Sequence, residues 1–226
     1  MRKVRIISAL LLLSLFIGGC GKDSTENGTQ SQKIDSNAED AKEPQSVSIS
    51  SIELLKDGSI EETIIEDFSK DYYNEEELKN MLLFEVAGFN KESGDKNISV
   101  DKFEQKNGIL TVVIKYPSAE TYTEYNTNSY SDRKLFYGTV SEAYDAGWPL
   151  DIMVKSVKNE EETLGKEELL QMGKSYILIT NEIIEIKSAK KIAYIGENIE
   201  LAAKNKVKTF SDSNGETKEN YYILLK

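Results

Sequence analysis

The sequence has no histidine, a single cysteine and only three prolines among its 226 residues. Without histidine, the chain cannot form a Ser-His-Asp triad, an imidazole general base or a His-ligated metal site. A lone cysteine excludes an internal disulfide and any Cys-x-x-Cys redox or zinc site. We therefore expect no cofactor and no bound metal, and we expect the chain not to be an enzyme.

Basic residues are also in short supply. The chain has 28 Lys and Arg against 39 Asp and Glu, which gives a net charge of −11. An acidic chain of this kind repels a phosphate backbone and lacks the basic footprint of nucleic-acid-binding proteins. We therefore expect no nucleic-acid partner.

The N-terminus has the pattern of an export signal. Arg2, Lys3 and Arg5 precede an apolar run over residues 6–17. The apolar run has twelve residues, too few to cross about 30 Å of hydrocarbon as a helix. We therefore predict that residues 1–19 are a secretory signal peptide rather than a permanent membrane span.

The end of this segment resembles the lipobox of bacterial lipoproteins. Ile17, Gly18 and Gly19 precede Cys20, the only cysteine, although Ile17 stands where leucine is more usual. The resemblance implies cleavage before Cys20 and a diacylglycerol anchor on it, with acyl chains such as palmitate. It also implies a protein on the extracytoplasmic face of the cell membrane, held there by the lipid. The alternative is an incidental thiol beside an ordinary secretion signal.

The residues after Cys20 predict a disordered acidic tether over residues 20–46, because Ile34 is their only large apolar residue. Removing residues 1–19 leaves 25 basic and 39 acidic residues, a net charge of −14, and Arg133 as the only arginine. The preference for lysine, together with abundant Ile, Asn and Glu, is typical of low-GC Gram-positive genomes.

Residues 47–226 predict a single α+β domain, with a possible subdivision near 150–165. Turn residues at 56–58 and 106–108 predict two hairpins, and the Asp-Gly of the first predicts a type I′ turn. Between them, Asn74 caps a predicted longer helix that Gly88 and Asn90 end.

Later segments predict several short helices and many short strands. Helices are predicted from Ser118 and from Ser141, and over residues 166–172. The chain from Tyr176 onward consists of short runs of β-branched and aromatic residues, which indicate antiparallel hairpins. The expected fold class is thus α+β with mostly antiparallel strands.

Three segments of the folded part resemble small uncharacterised lipoproteins of clostridia-like Firmicutes. They lie at residues 66–78, at residues 116–122 and at residues 135–143. The resemblance implies a lipid-anchored envelope protein with one folded domain, and it contributes no catalytic residue.

Carboxylates are the one reactive group in excess, so a two-acid glycosidase is the enzyme class to weigh. One candidate cluster is Glu66, Asp67 and Asp71 beside Tyr72 and Tyr73. Solvent-facing positions and helix N-terminal acids explain the carboxylates of the chain better. The same holds for a second cluster, which comprises Glu142, Asp145, Tyr144 and Trp148.

Aromatic residues are concentrated in the middle of the chain. The candidates for a binding face are Tyr122, Tyr125, Tyr137, Tyr144 and Trp148. Such rings stack on sugars or grip a partner protein, but tyrosines also line the edge of a small α+β core, and core packing is the favoured interpretation.

The function that follows is a lipid-anchored, extracytoplasmic binding or interaction domain without catalysis. Its expected partners are the membrane, through Cys20, and an envelope protein or wall component. The alternatives are a solute-binding protein that serves a transporter and, with less support, the carboxylate-dependent glycosidase.

Overall fold

A computed structural model describes residues 50–94, 97–128, 131–159, 161–212 and 215–226 of the chain. The predicted signal peptide, the lipobox residues Ile17, Gly18, Gly19 and Cys20, and the tether all lie outside the described residues. Two large sheets and a set of helices form the folded part.

The first sheet has seven strands in the order β13-β14-β11-β1-β2-β4-β3. All neighbours pair antiparallel except β1 and β11, which are parallel. Its strands are β1 (Ser51–Leu54), β2 (Ile60–Asp67), β3 (Ser99–Lys106), β4 (Ile109–Tyr116), β11 (Glu185–Ser188), β13 (Ile199–Ala203) and β14 (Lys206–Thr209).

The second sheet has six strands in the order β7-β10-β15-β12-β8-β9, and all its pairs are antiparallel. A small hairpin of β5 (Thr127–Asn128) and β6 (Ser131–Asp132) precedes it. Its strands are β7 (Leu135–Thr139), β8 (Val154–Ser156), β9 (Thr163–Leu164), β10 (Tyr176–Thr180), β12 (Ile192–Ile195) and β15 (Tyr221–Leu225).

The described helices are α1 (Glu75–Ser93), α2 (Ala119–Asn126), α3 (Val140–Asp145) and α4 (Lys166–Gln171). The predicted α+β class, with mostly antiparallel strands, one longer helix and short ones, is confirmed. The region 150–165, where a subdivision was predicted, contributes β8 and β9 to the second sheet.

Side-chain caps explain where the helices begin. The Asn74 side chain accepts a hydrogen bond from the Glu77 amide at 3.1 Å, as predicted. The Ser118 side chain accepts one from the Thr121 amide at 3.1 Å in the same way. Each bond satisfies an amide that has no partner within the helix, so each of these helices begins at a defined residue.

The predicted end of α1 was wrong. The helix continues through Gly88 and Asn90 and ends at Gly94, whose φ is +67°. Asn90 instead uses its side-chain amide to exchange two hydrogen bonds with the backbone of Ile98, at 2.7 and 2.9 Å. The residue that resembled a helix stop therefore fastens α1 to the start of β3.

The two predicted hairpins differ in their turns. Asn107 and Gly108 both have positive φ, as a type I′ turn requires. In the first hairpin only Gly58 has positive φ, so the predicted type I′ turn there was wrong. The Asp57 side chain accepts a hydrogen bond from the amide of Ser59 instead, at 3.0 Å, and stabilises a longer turn.

Strand alternation places the core between the sheets. Every second residue over most of β2 and β4 is buried, and these residues pack with helices α1 and α2. Leu178 and Ile223 of the second sheet belong to the same cluster. On the other face of the second sheet, Ile177 and Leu224 pack with α3 and α4 in a second cluster. Strand β15 is therefore buried along its whole length.

Candidate functional site

The start of helix α1 and the loop before it form an open groove on the surface. Two adjoining cavities share Asn74, Glu77 and Met81, and the larger has a volume of about 500 Å³. Phe84 lines one cavity and Tyr72 lines the other. We call this surface, bounded by Tyr72 and Phe84, the α1 groove.

Both aromatic residues of the α1 groove are 73% exposed, the highest values among the large apolar residues described. Tyr72 packs edge-on against Tyr73, with the ring centroids 4.8 Å apart, and Tyr73 stacks on the buried Phe68. Tyr72 is therefore supported from below while its outer face stays in solvent. Leu83, next to Phe84, is also 43% exposed.

Acidic residues surround the α1 groove. Residues 66–80 contain six carboxylates and only two lysines. Glu75, Glu76 and Glu77 occupy the first turn of α1, where negative charge faces the positive end of the helix dipole. The groove thus combines exposed aromatic rings with a negative rim.

The five aromatic residues predicted as a binding face do not form one surface. Tyr122 and Tyr125 are buried in the core between the sheets, which is the core packing that the sequence favoured. Trp148 packs against the second core cluster, on the other face of the second sheet. Tyr137 is half-buried and stacks on Tyr176, and Tyr144 is 56% exposed.

The first acidic cluster does not bring its carboxyl groups face to face. Glu66 and Asp67 are successive residues of β2, so their side chains leave opposite faces of the strand. Burial raises the pKa of Glu66, and the charge of Asp67 adds to the effect. Hydrogen bonds from Ser69 lower the pKa of Asp67, which is exposed. Glu66 therefore has a carboxyl group with a raised pKa, but the carboxyl group of Asp67 does not face it.

In the second acidic cluster, Glu142 has a structural task. Its carboxylate accepts a hydrogen bond from the Thr139 amide at 2.7 Å, and the Thr139 hydroxyl accepts one from the Glu142 amide. This capping box begins α3, and the hydrogen bonds from Thr139 lower the pKa of Glu142. Glu142 is thus an ionised capping residue rather than a proton donor with a raised pKa.

The buried interior contains a second concentration of polar groups, centred on Arg133. Its Nη2 atom contacts Glu62 Oε1 at 2.5 Å, and its Nε donates to Glu182. Nη1 donates to Asn126 Oδ1 at 3.2 Å, and Nη2 also donates to the Tyr122 hydroxyl. The guanidinium therefore uses all three of its nitrogens, a planar fork that lysine cannot reproduce.

Two tyrosines complete this cluster. Tyr116 donates a hydrogen bond to Glu62 Oε2 at 2.7 Å, and Tyr122 donates one to Glu182 Oε1 at 2.8 Å. The rings of Tyr116 and Tyr122 pack edge to face, with centroids 5.0 Å apart. We call Glu62, Tyr116, Tyr122, Asn126, Arg133 and Glu182 the arginine cluster.

Charge in the arginine cluster does not balance, since one guanidinium faces two carboxyl groups. Burial raises the pKa of Glu182 in spite of the opposing effect of Arg133. Burial likewise raises the pKa of Tyr116 and of Tyr122 well above the usual range. Burial acts to lower the pKa of Arg133, but the carboxylate of Glu62 and its neighbours outweigh it and keep the guanidinium charged.

The members of the arginine cluster come from separate parts of the fold. Glu62 is on β2 of the first sheet, Tyr122 is on α2, and Arg133 precedes β7 of the second sheet. Glu182 lies in the segment that leads from β10 of the second sheet to β11 of the first. Because every member has a hydrogen-bonding partner, we interpret the cluster as a buried connection between the sheets.

Within the described ranges, no group of three or more Cys, Asp or Glu residues is placed to hold a metal ion. In the same ranges, none of the helices combines the length and the apolar character that crossing a bilayer demands. Sequence reasoning missed the α1 groove as a surface, although it singled out Tyr72 and Tyr73 as neighbours of candidate glycosidase acids.

Comparison with known proteins finds no matching family model, no matching curated protein and no matching solved structure.

Proposed function

We propose that this protein is a lipid-anchored, non-catalytic binding protein of the extracytoplasmic membrane face, and that its α1 groove binds a basic, apolar segment of an envelope protein. The observation that carries the binding proposal is the exposure of Tyr72 and Phe84, each 73%, on either side of one groove. The lipid anchor rests on the sequence, at Ile17 to Cys20.

Exposed aromatic rings of this kind are typical of interfaces. Aromatic residues dominate the binding energy of protein interfaces because they bury a large area with little loss of side-chain freedom. Phe84 has no polar atom to hydrate, so its exposure in the free protein is unfavourable and a partner that covers it removes this penalty. The support from Tyr73 and Phe68 holds Tyr72 in place before binding.

The rim of the α1 groove indicates the chemistry of the partner. Glu76 and Glu77 line the groove itself, and further exposed acids precede them. A partner segment with lysine or arginine beside apolar side chains complements this surface, while an acidic segment is repelled. The anchor and tether proposed from the sequence would hold the groove close to the membrane, where it can meet an envelope protein.

The anchor is tested by labelling cells with a fatty acid analogue. We expect label in the wild-type protein and none in the Cys20→Ala variant, because the proposed acyl groups are attached through that residue. Label that persists in Cys20→Ala, or that never enters the wild type, contradicts the lipoprotein proposal.

The groove is tested with a short amphipathic peptide of leucine and lysine, whose binding to the full chain is measured by fluorescence anisotropy. Phe84→Ala is expected to weaken binding about tenfold or more, as truncation of a central aromatic residue does. Tyr144→Ala is the matched control, since Tyr144 is an exposed aromatic residue outside the groove. Equal effects of the two variants, or equally tight binding of a leucine and glutamate peptide, contradict the proposal.

A further inference from the structure

We propose that a cavity at the junction of the two sheets is a second binding site, and that it takes an organic phosphate, meaning a phosphate ester that carries an apolar group. The cavity has a volume of about 470 Å³, within the usual range of small-molecule sites. This site is independent of the α1 groove and of the lipid anchor. Its lining includes Glu162, Tyr194 and four lysines, which are Lys158, Lys191, Lys204 and Lys226.

The cavity is formed by chain segments that backbone hydrogen bonds hold together. The Ile192 amide donates to the Lys204 carbonyl at 3.1 Å, which links β12 of the second sheet to the turn after β13 of the first. Lys191 and Lys226 exchange two bonds, at 2.8 and 3.2 Å, and the Val157 amide donates to Ala193 at 3.0 Å. The walls are therefore fixed by the fold rather than by mobile side chains alone.

Positive charge is concentrated at this cavity although the chain as a whole is strongly acidic. Four lysines line it, and among its described lining residues Glu162 is the one acidic side chain. The described side chains of the lining carry a net charge of +3. The field of several lysines around one cavity attracts an anion.

The four lysines that line the cavity have no acidic partner among the described residues. Across the described part of the chain, no carboxylate forms an ion pair with Lys158, Lys191, Lys204 or Lys226. Ion pairs between described residues are formed by other lysines, which include Lys102, Lys134, Lys187, Lys206 and Lys218. The position of these four lysines around one cavity, rather than the lack of ion pairs by itself, favours an external anion as the ligand.

The Glu162 carboxylate in the lining already has a hydrogen-bonding partner. Tyr194 donates its hydroxyl hydrogen to Glu162, and this hydrogen bond raises the pKa of Tyr194. Glu162 is therefore held by a neutral donor and is not placed against a lysine. The ammonium groups stay available, each with up to three donors for a ligand.

Two features of the cavity define the ligand. A phosphate presents three oxygens in a tetrahedral arrangement and up to about two negative charges, so it accepts from ammonium groups that approach from different directions. A carboxylate offers one charge and two oxygens in one plane. The apolar surface comes from Val157, Ile192, Ala193 and Leu201, and it favours an apolar group attached to the phosphate.

The experiment uses phenyl phosphate as the probe and isothermal titration calorimetry on the full chain. We expect saturable binding at one site, with inorganic phosphate and benzoate binding more weakly. The double variant Lys191→Gln and Lys204→Gln is expected to weaken binding about tenfold or more, the value of one charged hydrogen bond. Lys79→Gln with Lys106→Gln is the matched control, because it removes the same charge from exposed positions elsewhere.

The outcomes separate specific binding from general attraction. Binding lost in the cavity variant and kept in the control supports the proposal. An absence of saturable binding overturns it. Equal weakening of binding in both double variants also overturns it, because diffuse charge then accounts for the result. Benzoate that binds as tightly as phenyl phosphate overturns the assignment to phosphate.

A second arm distinguishes a lipid headgroup from a free phosphate ester. Both double variants are prepared as the proposed mature chain, residues 20–226, with Cys20→Ala in place of the lipid anchor, so that neither the anchor nor the signal peptide drives membrane binding. They are mixed with phosphatidylglycerol vesicles and with phosphatidylcholine vesicles, and bound protein is measured by flotation. Weaker binding of the cavity variant than of the control to phosphatidylglycerol identifies a lipid headgroup as the source. Equal binding of the two variants, with phenyl phosphate binding retained in the control alone, identifies a soluble phosphate ester.

Discussion

Arg133 and the four lysines of the cavity carry positive charge in opposite surroundings. The side chain of Arg133 is only 16% exposed and contacts Glu62, Glu182, Tyr122 and Asn126. The cavity lysines are exposed and have no carboxylate partner within the described ranges. A charge that is buried must be paired, because desolvation costs several kcal/mol, roughly, for each ion. A charge that water solvates is free to bind a ligand.

The difference indicates which region stabilises the fold and which is available for binding. Removal of a buried partner leaves an uncompensated charge, so changes in the arginine cluster are expected to reduce stability. Removal of a solvated lysine leaves nothing unpaired, so changes at the cavity are expected to alter binding with little effect on stability. Variants of the two regions test this division, and the expected losses of stability decrease from Arg133 to the cavity lysines.

Arg133→Met is expected to reduce stability most. It leaves Glu62 and Glu182 buried without their cation, and such a loss costs about 3 to 5 kcal/mol of the free energy of unfolding. Urea denaturation followed by circular dichroism measures this change. The control is Lys134→Met, which breaks an exposed ion pair with Asp132 and is expected to cost at most about 1 kcal/mol. Similar losses of stability in both variants would show that the arginine cluster does not stabilise the fold more than an exposed ion pair does.

Tyr116→Phe is expected to cost about 1 to 3 kcal/mol of the free energy of unfolding. The change removes one hydroxyl group and leaves Glu62 Oε2 without its donor in a site that water does not reach freely. Tyr144→Phe removes a hydroxyl from an exposed tyrosine and is expected to have almost no effect. A loss of stability no larger in Tyr116→Phe than in Tyr144→Phe shows that the hydrogen bond to Glu62 contributes nothing.

Glu182 makes the stability of the arginine cluster depend on pH. Burial raises the pKa of Glu182 above its value in the unfolded chain, so the folded protein binds this proton more tightly. The contribution of Glu182 is therefore fully present below the unfolded pKa and is lost as the pH rises through the folded pKa. The wild type should lose stability relative to Glu182→Gln over this window, by about 1.4 kcal/mol for each pH unit that separates the two pKa values.

Denaturation midpoints of the two proteins, measured at a series of pH values upward from about pH 4, check this prediction. Glu185→Gln is the control, since Glu185 forms an ion pair with Lys206 at the surface of β11. If the wild type instead gains stability relative to Glu182→Gln as the pH rises, the change has the wrong sign and contradicts the prediction.

The lysines of the cavity are expected to affect folding least. Lys191→Gln with Lys204→Gln should change the free energy of unfolding by no more than about 0.5 kcal/mol, the usual range for exposed substitutions. Thermal unfolding without ligand, compared with the Lys79→Gln and Lys106→Gln variant, measures this change. A large loss of stability means that these lysines support the fold, and the contrast with Arg133 then fails.

Local features were predictable wherever one residue and its neighbours decide the structure. Asn74 and Ser118 begin helices because a side-chain oxygen next to free amides is sufficient, and Asn107 with Gly108 makes a tight turn for a similar reason. Gly88 misled the prediction because glycine is tolerated inside a helix, at a cost of about 1 kcal/mol, when packing along the rest of the helix is sufficient.

The arginine cluster was not predictable, since its partners are distant in the sequence. Arg133 lies 71 positions from Glu62 and 49 positions from Glu182. No spacing rule for helices or strands connects residues this far apart. The one signal in the sequence was that Arg133 is the only arginine after the predicted signal peptide. A buried site that bonds through all three guanidinium nitrogens requires arginine, whereas lysine is sufficient for a positive charge in water.

Neighbouring residues and composition were sufficient to determine the α+β class, the starts of α1 and α2, the antiparallel pattern and the acidic balance. The tertiary structure was needed to establish that β1 pairs with β11 in parallel, that Tyr122 is buried while Tyr72 is exposed, and that lysines from separate segments share one cavity. These features could not be read from the chain because burial and charge pairing depend on which distant segments meet.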